Sequence, residues 1–268
     1  MVQAVLPNFE HLMTPEVEPS SEVEAGKLYS VNEIYDNVTI QGEGPMAGKA
    51  TVFLRFQFCD GDGNGHWCSW CDTRYTWDKA DVNYKFERMN ANQILEKIDA
   101  AFAGWNGARR TVTISGGNPV MQLDHNLADL LISRGYDIQI ETQGTMWSTV
   151  TQKCFSVVSP KPPSSGLNRL NRQQLDKWLT LSTTQVAFKV VVFDEKDYEY
   201  AEQLYNYVHP LGYPFYISSG TLVNGDAQDV VLKGYSDIIN MFLQKKSMVG
   251  AIVLPQLHVL VWGRKRGV

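Results

Sequence analysis

The chain is sparing with cysteine, holding four among 268 residues. Three of them, Cys59, Cys68 and Cys71, fall in one short stretch, and Cys154 lies far from it. Three clustered thiols cannot all pair with one another, so a disulfide framework is excluded as the reason for their grouping. No apolar run approaches the length of a membrane span. The N-terminus has no Arg or Lys before Lys27 and no charged-then-apolar layout, which argues against a secretory leader or a mitochondrial presequence. A basic surplus is missing as well: 24 Lys and Arg against 29 Asp and Glu leave a formal charge of −5. That balance offers no footprint for nucleic acid or for an anionic membrane. Repeats, heptads and low-complexity segments are absent. The expectation is a cytoplasmic, reduced protein, a setting that suits metal-bound thiolates.

Residues 1–26 carry Pro7, Pro15 and Pro19 with five glutamates and little periodicity, and read as an N-terminal extension. Residues 27–268 read as one domain, long enough to bury a sizeable core. Alternating or β-branched runs predict strands at 29–39, 51–58, 111–115, 137–142, 155–159, 185–193, 215–219 and 251–254. Helical spacing falls between them at 90–102, 123–134, 170–181 and 230–243, and Asp194 caps a helix running towards His209. This alternation predicts an α/β fold whose parallel sheet curls into an open, partial barrel with fewer than eight repeats.

The cysteines follow the strand at 51–58 with the spacing C-x8-C-x2-C, on a loop that Gly61, Gly63 and Gly65 allow to fold tightly. Ligands of parallel α/β folds bind at this end of the strands. Three thiolates on one loop can grip three corners of a cubane iron–sulfur cluster and leave its fourth iron without a protein ligand. A structural zinc with His66 as fourth ligand is the alternative. Other strands end in Ser115-Gly116-Gly117-Asn118-Pro119, in Glu141-Thr142-Gln143-Gly144-Thr145 and in Ser159-Pro160-Lys161. Bare glycine N–H groups meet an amino acid or phosphate closely, and Glu141 or Lys161 can read a ribose or a carboxylate.

With these motifs in order, the sequence resembles radical S-adenosylmethionine enzymes of the partial-barrel type, and among them the 7-carboxy-7-deazaguanine synthase family of queuosine biosynthesis. The residues that carry the resemblance are Gln41-Gly42-Glu43-Gly44, Phe53-Leu54-Arg55-Phe56 leading to Cys59, Trp70-Cys71-Asp72-Thr73, the three strand ends above, and the close from His258 through Trp262 to Val268. The resemblance implies a [4Fe–4S] cluster on Cys59, Cys68 and Cys71. S-adenosylmethionine would be held by Trp70, Cys71, Asp72, Gly116, Gly117, Asn118, Glu141, Ser159, Pro160 and Lys161. Thr73 would be a Mg2+ ligand completed by substrate oxygens and water. A pterin would be met by Ile40, Gln41, Gly42, Glu43, Ser115, His258 and the terminal carboxylate of Val268, with Arg55 on its carboxylate. The implied reaction is radical ring contraction of 6-carboxy-5,6,7,8-tetrahydropterin to 7-carboxy-7-deazaguanine with loss of ammonia, a carbon–nitrogen lyase. An electron donor such as flavodoxin and a homodimer come with it.

The alternatives are a glycyl-radical activase and a non-catalytic binding protein that carries a cluster or zinc. Simpler roles also exist residue by residue. Arg55 can be a surface charge, Thr73 a turn cap, His258 a packed polar group, Trp67, Trp70 and Trp77 core or lid, and Cys154 a small buried residue. Two departures stand out. Asn118 replaces the glutamate usual in the family, leaving an amide oxygen to accept from the cofactor's ammonium, and Gln143 replaces an asparagine. The stretch 60–67 is an insertion between the first two cysteines.

Overall fold

The computed structural model describes residues 26–107, 109–167, 171–220, 228–263, 265 and 267. Residues 1–25, nearly all of the expected N-terminal extension, lie outside them, as does Val268. In chain order the elements are β1 (Tyr29–Ile34), β2 (Thr39–Ile40), β3 (Ala50–Phe56), β4 (Glu87–Met89), α1 (Ala91–Ala101), β5 (Arg110–Gly116), α2 (His125–Ser133), β6 (Tyr136–Thr142) and β7 (Phe155–Val158). They continue with α3 (Arg172–Trp178), β8 (Val186–Val192), α4 (Glu195–Val208), β9 (Phe215–Ser219), α5 (Gln228–Lys245), β10 (Ile252–Leu254) and α6 (Leu257–Trp262).

Among the described residues one sheet runs in the order β10-β9-β8-β7-β6-β5-β3-β1-β4, with β2 beside β3, and does not close on itself. Every neighbour pair from β3 to β10 is parallel, joined by crossover connections. The expected partial barrel is therefore present. Its first strands differ from a purely parallel series: β1 and β2 pair antiparallel with β3, and β4 antiparallel with β1. No α-helix separates β1 from β3, and a short return of that kind can only bring strands back antiparallel. The expected strand 29–39 is also broken, because the chain bends at Asp36 and Asn37 before β2 begins. β4 and α6 are additional to the expected elements. No described helix is long and apolar enough to cross a membrane.

The side-chain alternation separates two faces. Val52, Leu54 and Phe56 of β3 and Val112 and Ile114 of β5 are fully buried in the main core. Ile94 and Ile98 of α1 and Leu127 and Leu131 of α2 join them there. The opposite, inward face carries Thr51, Arg55, Thr113, Ser115, Gln139, Glu141 and Lys189, and Thr51 and Thr113 share a hydrogen bond of 2.9 Å. A second apolar cluster of Met46, Phe155, Val157, Ala187 and Tyr216 packs on this inward side. Sheets buried on both faces need such a double covering. Side-chain caps start the helices: Asn90 and Gln93 form a capping box on α1, Asp124 accepts from Leu127 N–H on α2, and Asp194 accepts from Asp197 N–H on α4.

Candidate active site

The cysteine loop leaves β3 through Phe58, whose φ of +77° lies in the left-handed region that non-glycine residues rarely adopt. The bend is held from both sides: Phe58 N–H donates to the Thr76 carbonyl at 2.7 Å, and its own carbonyl accepts from Asn118 N–H at 2.9 Å. The tip of β5 presses directly against this turn. A Cβ at Gly116 (φ +120°) would stand 2.1 Å from the Phe56 oxygen, and one at Gly117 1.8 Å from the Phe58 oxygen. The glycine pair is thus required for close backbone approach. The N–H of Gly117 is spent on the Phe56 carbonyl at 3.2 Å.

Cys59, Cys68 and Cys71 are free and half-buried. Burial pushes the Cys59 thiol up to about 12, a Gly61 hydrogen bond pulling back and the charges of Asp60, Cys71 and Cys68 adding to the rise. Burial raises Cys68 against the pull of Lys161, and raises Cys71 with help from Asp72 and against Trp77 and Thr73. Binding of a metal or cluster must displace these protons. Trp77 Nε1–H donates to Cys71 Sγ at 3.3 Å, the kind of contact that tunes a thiolate ligand.

The insertion is tied down at its far end, where Trp67 stacks on Trp77 with ring centroids 4.7 Å apart and planes 5° from parallel, and its Nε1–H donates to the Cys59 carbonyl at 3.0 Å. Replacing Trp67 by Ala is expected to cost about 1 kcal/mol of stability for the lost stack. Limited proteolysis should then cut faster within 60–67 than elsewhere.

His66 does not join the thiols. Its ring is 72 % exposed and its Nδ1 lies 2.9 Å from the Asp62 carboxylate. Among the described residues no three His, Cys, Asp or Glu side chains meet as the ligands of one metal ion. The zinc reading thereby loses its fourth ligand, whereas a cubane spreads its cysteines over separate irons. A further sign suits a bound cofactor: among the described residues the buried Ser159 hydroxyl has no hydrogen-bond partner. Lys161 lies over the Trp70 ring at 5.8 Å, and Trp70 Nε1–H donates to Ser164 Oγ at 3.0 Å. Pro160 is buried and Asp72 exposed. Thr73 starts a short helical turn without capping it by its side chain; its hydroxyl donates instead to the Gly116 carbonyl at 3.3 Å.

Asn118 behaves differently from its expectation. Its Oδ1 accepts from Thr142 Oγ1 at 2.9 Å and from Val120 N–H at 3.4 Å. Its amide N–H2 donates to Asp60 Oδ1 at 2.9 Å and to Thr145 Oγ1 at 3.2 Å. A carboxylate only accepts and a backbone N–H only donates, so the neighbours dictate this orientation. The amide oxygen is occupied by the protein.

The expected pterin residues gather on the other side of the barrel mouth. Gln41 Nε2–H donates to Glu141 Oε1 at 3.0 Å, while its Oε1 accepts from Glu43 N–H at 3.2 Å. Gly42 lies so close to His258 that a Cβ would stand 2.0 Å from the ring's Nδ1, and its carbonyl accepts from Leu257 N–H at 3.0 Å. Glu141, expected beside the cofactor, therefore stands with this group. Ile40 is half-buried opposite Ala50. Arg55 lies with its Nε 3.7 Å from Glu33 Oε2, donates to Tyr35 OH at 3.2 Å and to Ser115 Oγ at 3.4 Å, and covers the Phe53 ring at 5.1 Å. Burial would lower the Arg55 guanidinium, but Tyr75, Tyr35 and Asp72 outweigh it and hold it above its ordinary value.

Lys189 is a functional candidate that the motifs did not reveal. It is buried, forms an ion pair with Glu43, and Gln256 donates to the other Glu43 oxygen. Burial pushes the Glu43 carboxyl up, but Lys189 first and then His258 overcome this and hold it well below the usual carboxylate range. The signal was a single lysine in the otherwise apolar strand Val186–Val192.

No family model matches the chain. It is similar to the 7-carboxy-7-deazaguanine synthase of Bacillus cereus, with 36% identity over 241 residues that cover 86% of this chain and 95% of the relative. The corresponding Bacillus subtilis protein is 36% identical over 248 residues, with the same two coverages. The fold is similar to the crystal structure of QueE from Escherichia coli, with a TM-score of 0.61, 24% identity, and coverage of 86% of this chain and 95% of that one. A relationship of this depth across nearly the whole length of the relatives, on the same fold, places the chain: it belongs to the 7-carboxy-7-deazaguanine synthase family.

Proposed function

We propose that the chain is a radical S-adenosylmethionine lyase that contracts 6-carboxy-5,6,7,8-tetrahydropterin to 7-carboxy-7-deazaguanine with loss of ammonia. The observation that carries this reading is 36% identity to a 7-carboxy-7-deazaguanine synthase over 95% of that protein's length. When bound, a [4Fe–4S] cluster and S-adenosylmethionine supply one-electron chemistry that removes a hydrogen atom from the substrate. Cys59, Cys68 and Cys71 hold the cluster. Trp70, Asp72, the β5 tip from Gly116, Ser159, Pro160 and Lys161 line the nucleoside.

Arg55 receives the pterin carboxylate through its two-pronged guanidinium. Gln41, Gly42, Glu43, Glu141 and His258 meet the polar edge of the ring. Thr73 offers its hydroxyl to Mg2+, with substrate and water supplying the other oxygens. The apolar plug around Met46 and Tyr216 keeps water from the far side of the site. The working protein is a cytoplasmic homodimer reduced by a donor such as flavodoxin.

Anaerobic reconstitution with iron and sulfide tests this. The expected result is a brown protein that, given dithionite, S-adenosylmethionine and the pterin, releases ammonia and 7-carboxy-7-deazaguanine. A colourless protein carrying one zinc and forming no product overturns it. Arg55→Lys keeps the charge and loses the fork. It should raise KM for the pterin about tenfold while kcat changes little.

A further inference from the structure

The Asp60 carboxylate has an unusual set of neighbours. Asn118 Nδ2–H donates to its Oδ1 at 2.9 Å, Gln143 Nε2–H donates to the same oxygen at 2.8 Å, and Thr145 Oγ1–H donates to Oδ2 at 2.6 Å. Gln143 also donates to the Gly61 carbonyl at 3.0 Å, so the backbone beside the carboxylate is fixed too. All three donors are neutral. Among the described residues Asp60 has no ion-pair partner, so its negative charge is held in place without being cancelled. Among the described residues Oδ2 accepts a single bond, and it keeps lone-pair capacity for another donor.

That carboxylate lines a cleft of about 190 Å³, together with Gly61, Asp62, Lys161 and Asn171. Asp62 is already committed to Asn64 N–H at 2.7 Å and to His66. Lys161 has no ion-pair partner among the described residues. The cleft thus presents one unmatched carboxylate and one unmatched ammonium, directly after the first cluster cysteine. The complementary ligand is a zwitterion, an α-amino acid group with its ammonium towards Asp60 and its carboxylate towards Lys161.

We propose that Asp60 binds the α-ammonium group of S-adenosylmethionine. The assignment rests on the cofactor reading given above. Asn118, Gln143 and Thr145 are then positioning residues, which orient Asp60 before the ligand arrives.

The test is a two-by-two comparison on the reconstituted, cluster-bearing protein by equilibrium dialysis. The ligands are S-adenosylmethionine and its desamino analogue, in which hydrogen replaces the α-ammonium; the proteins are the wild type and Asp60→Asn. A charge-assisted hydrogen bond predicts that the wild type prefers S-adenosylmethionine about tenfold or more. In Asp60→Asn this preference should fall about tenfold, with affinity for the desamino analogue unchanged. Iron and sulfide content is measured on every sample. If Asp60→Asn assembles no cluster, Asp60→Glu takes its place, and there the preference should shrink as the carboxylate shifts by one methylene. A wild type without preference, or a variant that retains the full preference, overturns the assignment of Asp60 alone. A cluster-bearing wild type that binds neither nucleoside overturns the cofactor reading and this assignment with it.

Discussion

Lys189→Met is expected to lower the free energy of unfolding by about 3–5 kcal/mol, the cost typical of leaving one partner of a buried ion pair unmatched. The side chains of Lys189 and Glu43 are only 7 % and 11 % exposed, so water compensates little for a lost partner. The dependence on pH should change sign. In the wild type the Glu43 carboxyl is held at about 2, below its ordinary 4.5. The unfolded chain takes up a proton first, so the contribution of Glu43 is complete above pH 4.5 and is lost as pH falls towards 2. Without Lys189, burial becomes the dominant influence and lifts the carboxyl above its ordinary value. The folded variant then holds its proton more tightly than the unfolded chain, and it loses stability as pH rises through and beyond the ordinary range. Urea titrations at several pH values distinguish the two slopes. The double variant Lys189→Met with Glu43→Gln should recover most of the loss, because no buried charge remains and Gln256 keeps a polar partner. A single variant as stable as the wild type would show that the pair is not buried in solution.

The strands of the barrel were legible because burial on two faces leaves a strong trace. Val52, Leu54 and Phe56 alternate with Thr51 and Arg55, and this is the alternation that separates the main core from the mouth of the barrel. β4 escaped because Glu87–Met89 is three residues long and mostly exposed, and its place is set by pairing with β1. α6 escaped because Leu257–Trp262 is rich in β-branched and aromatic residues, and its helix depends on packing against α5. In the site, residue types with a unique chemistry were legible and partnerships across the chain were not. The cysteine spacing could be read directly. The fate of Asn118 could not, since the groups that turn its amide are Asp60, Thr142 and Thr145, brought together by folding. Asn118, Gln143 and Asp60 look like separate peculiarities along the sequence. In space they are one hydrogen-bonded unit.

The largest effect on the bound cofactor is expected from alanine at the clustered cysteines, with Cys154 as the internal control. Cys59→Ala, Cys68→Ala and Cys71→Ala should each drop reconstituted iron from about four per chain to near zero, because a cubane held by two protein thiolates loses a third of its anchoring bonds. Cys154 differs in every respect that matters. It is 2 % exposed in the main core, its Sγ–H donates to the Val150 carbonyl at 3.6 Å, and burial pushes its thiol up to about 12. Cys154→Ala should keep the full iron content and cost about 1 kcal/mol of stability for the small cavity left behind. Iron and sulfide assays with the visible absorbance of the cluster give the first readout, and urea unfolding the second. The contrast matters more than any single loss, since an alanine in the 59–71 loop would weaken a zinc site as well. A zinc site should leave colourless protein and stoichiometric zinc in the wild type, and equal iron in all four variants would remove the cysteine triad from the cofactor site altogether.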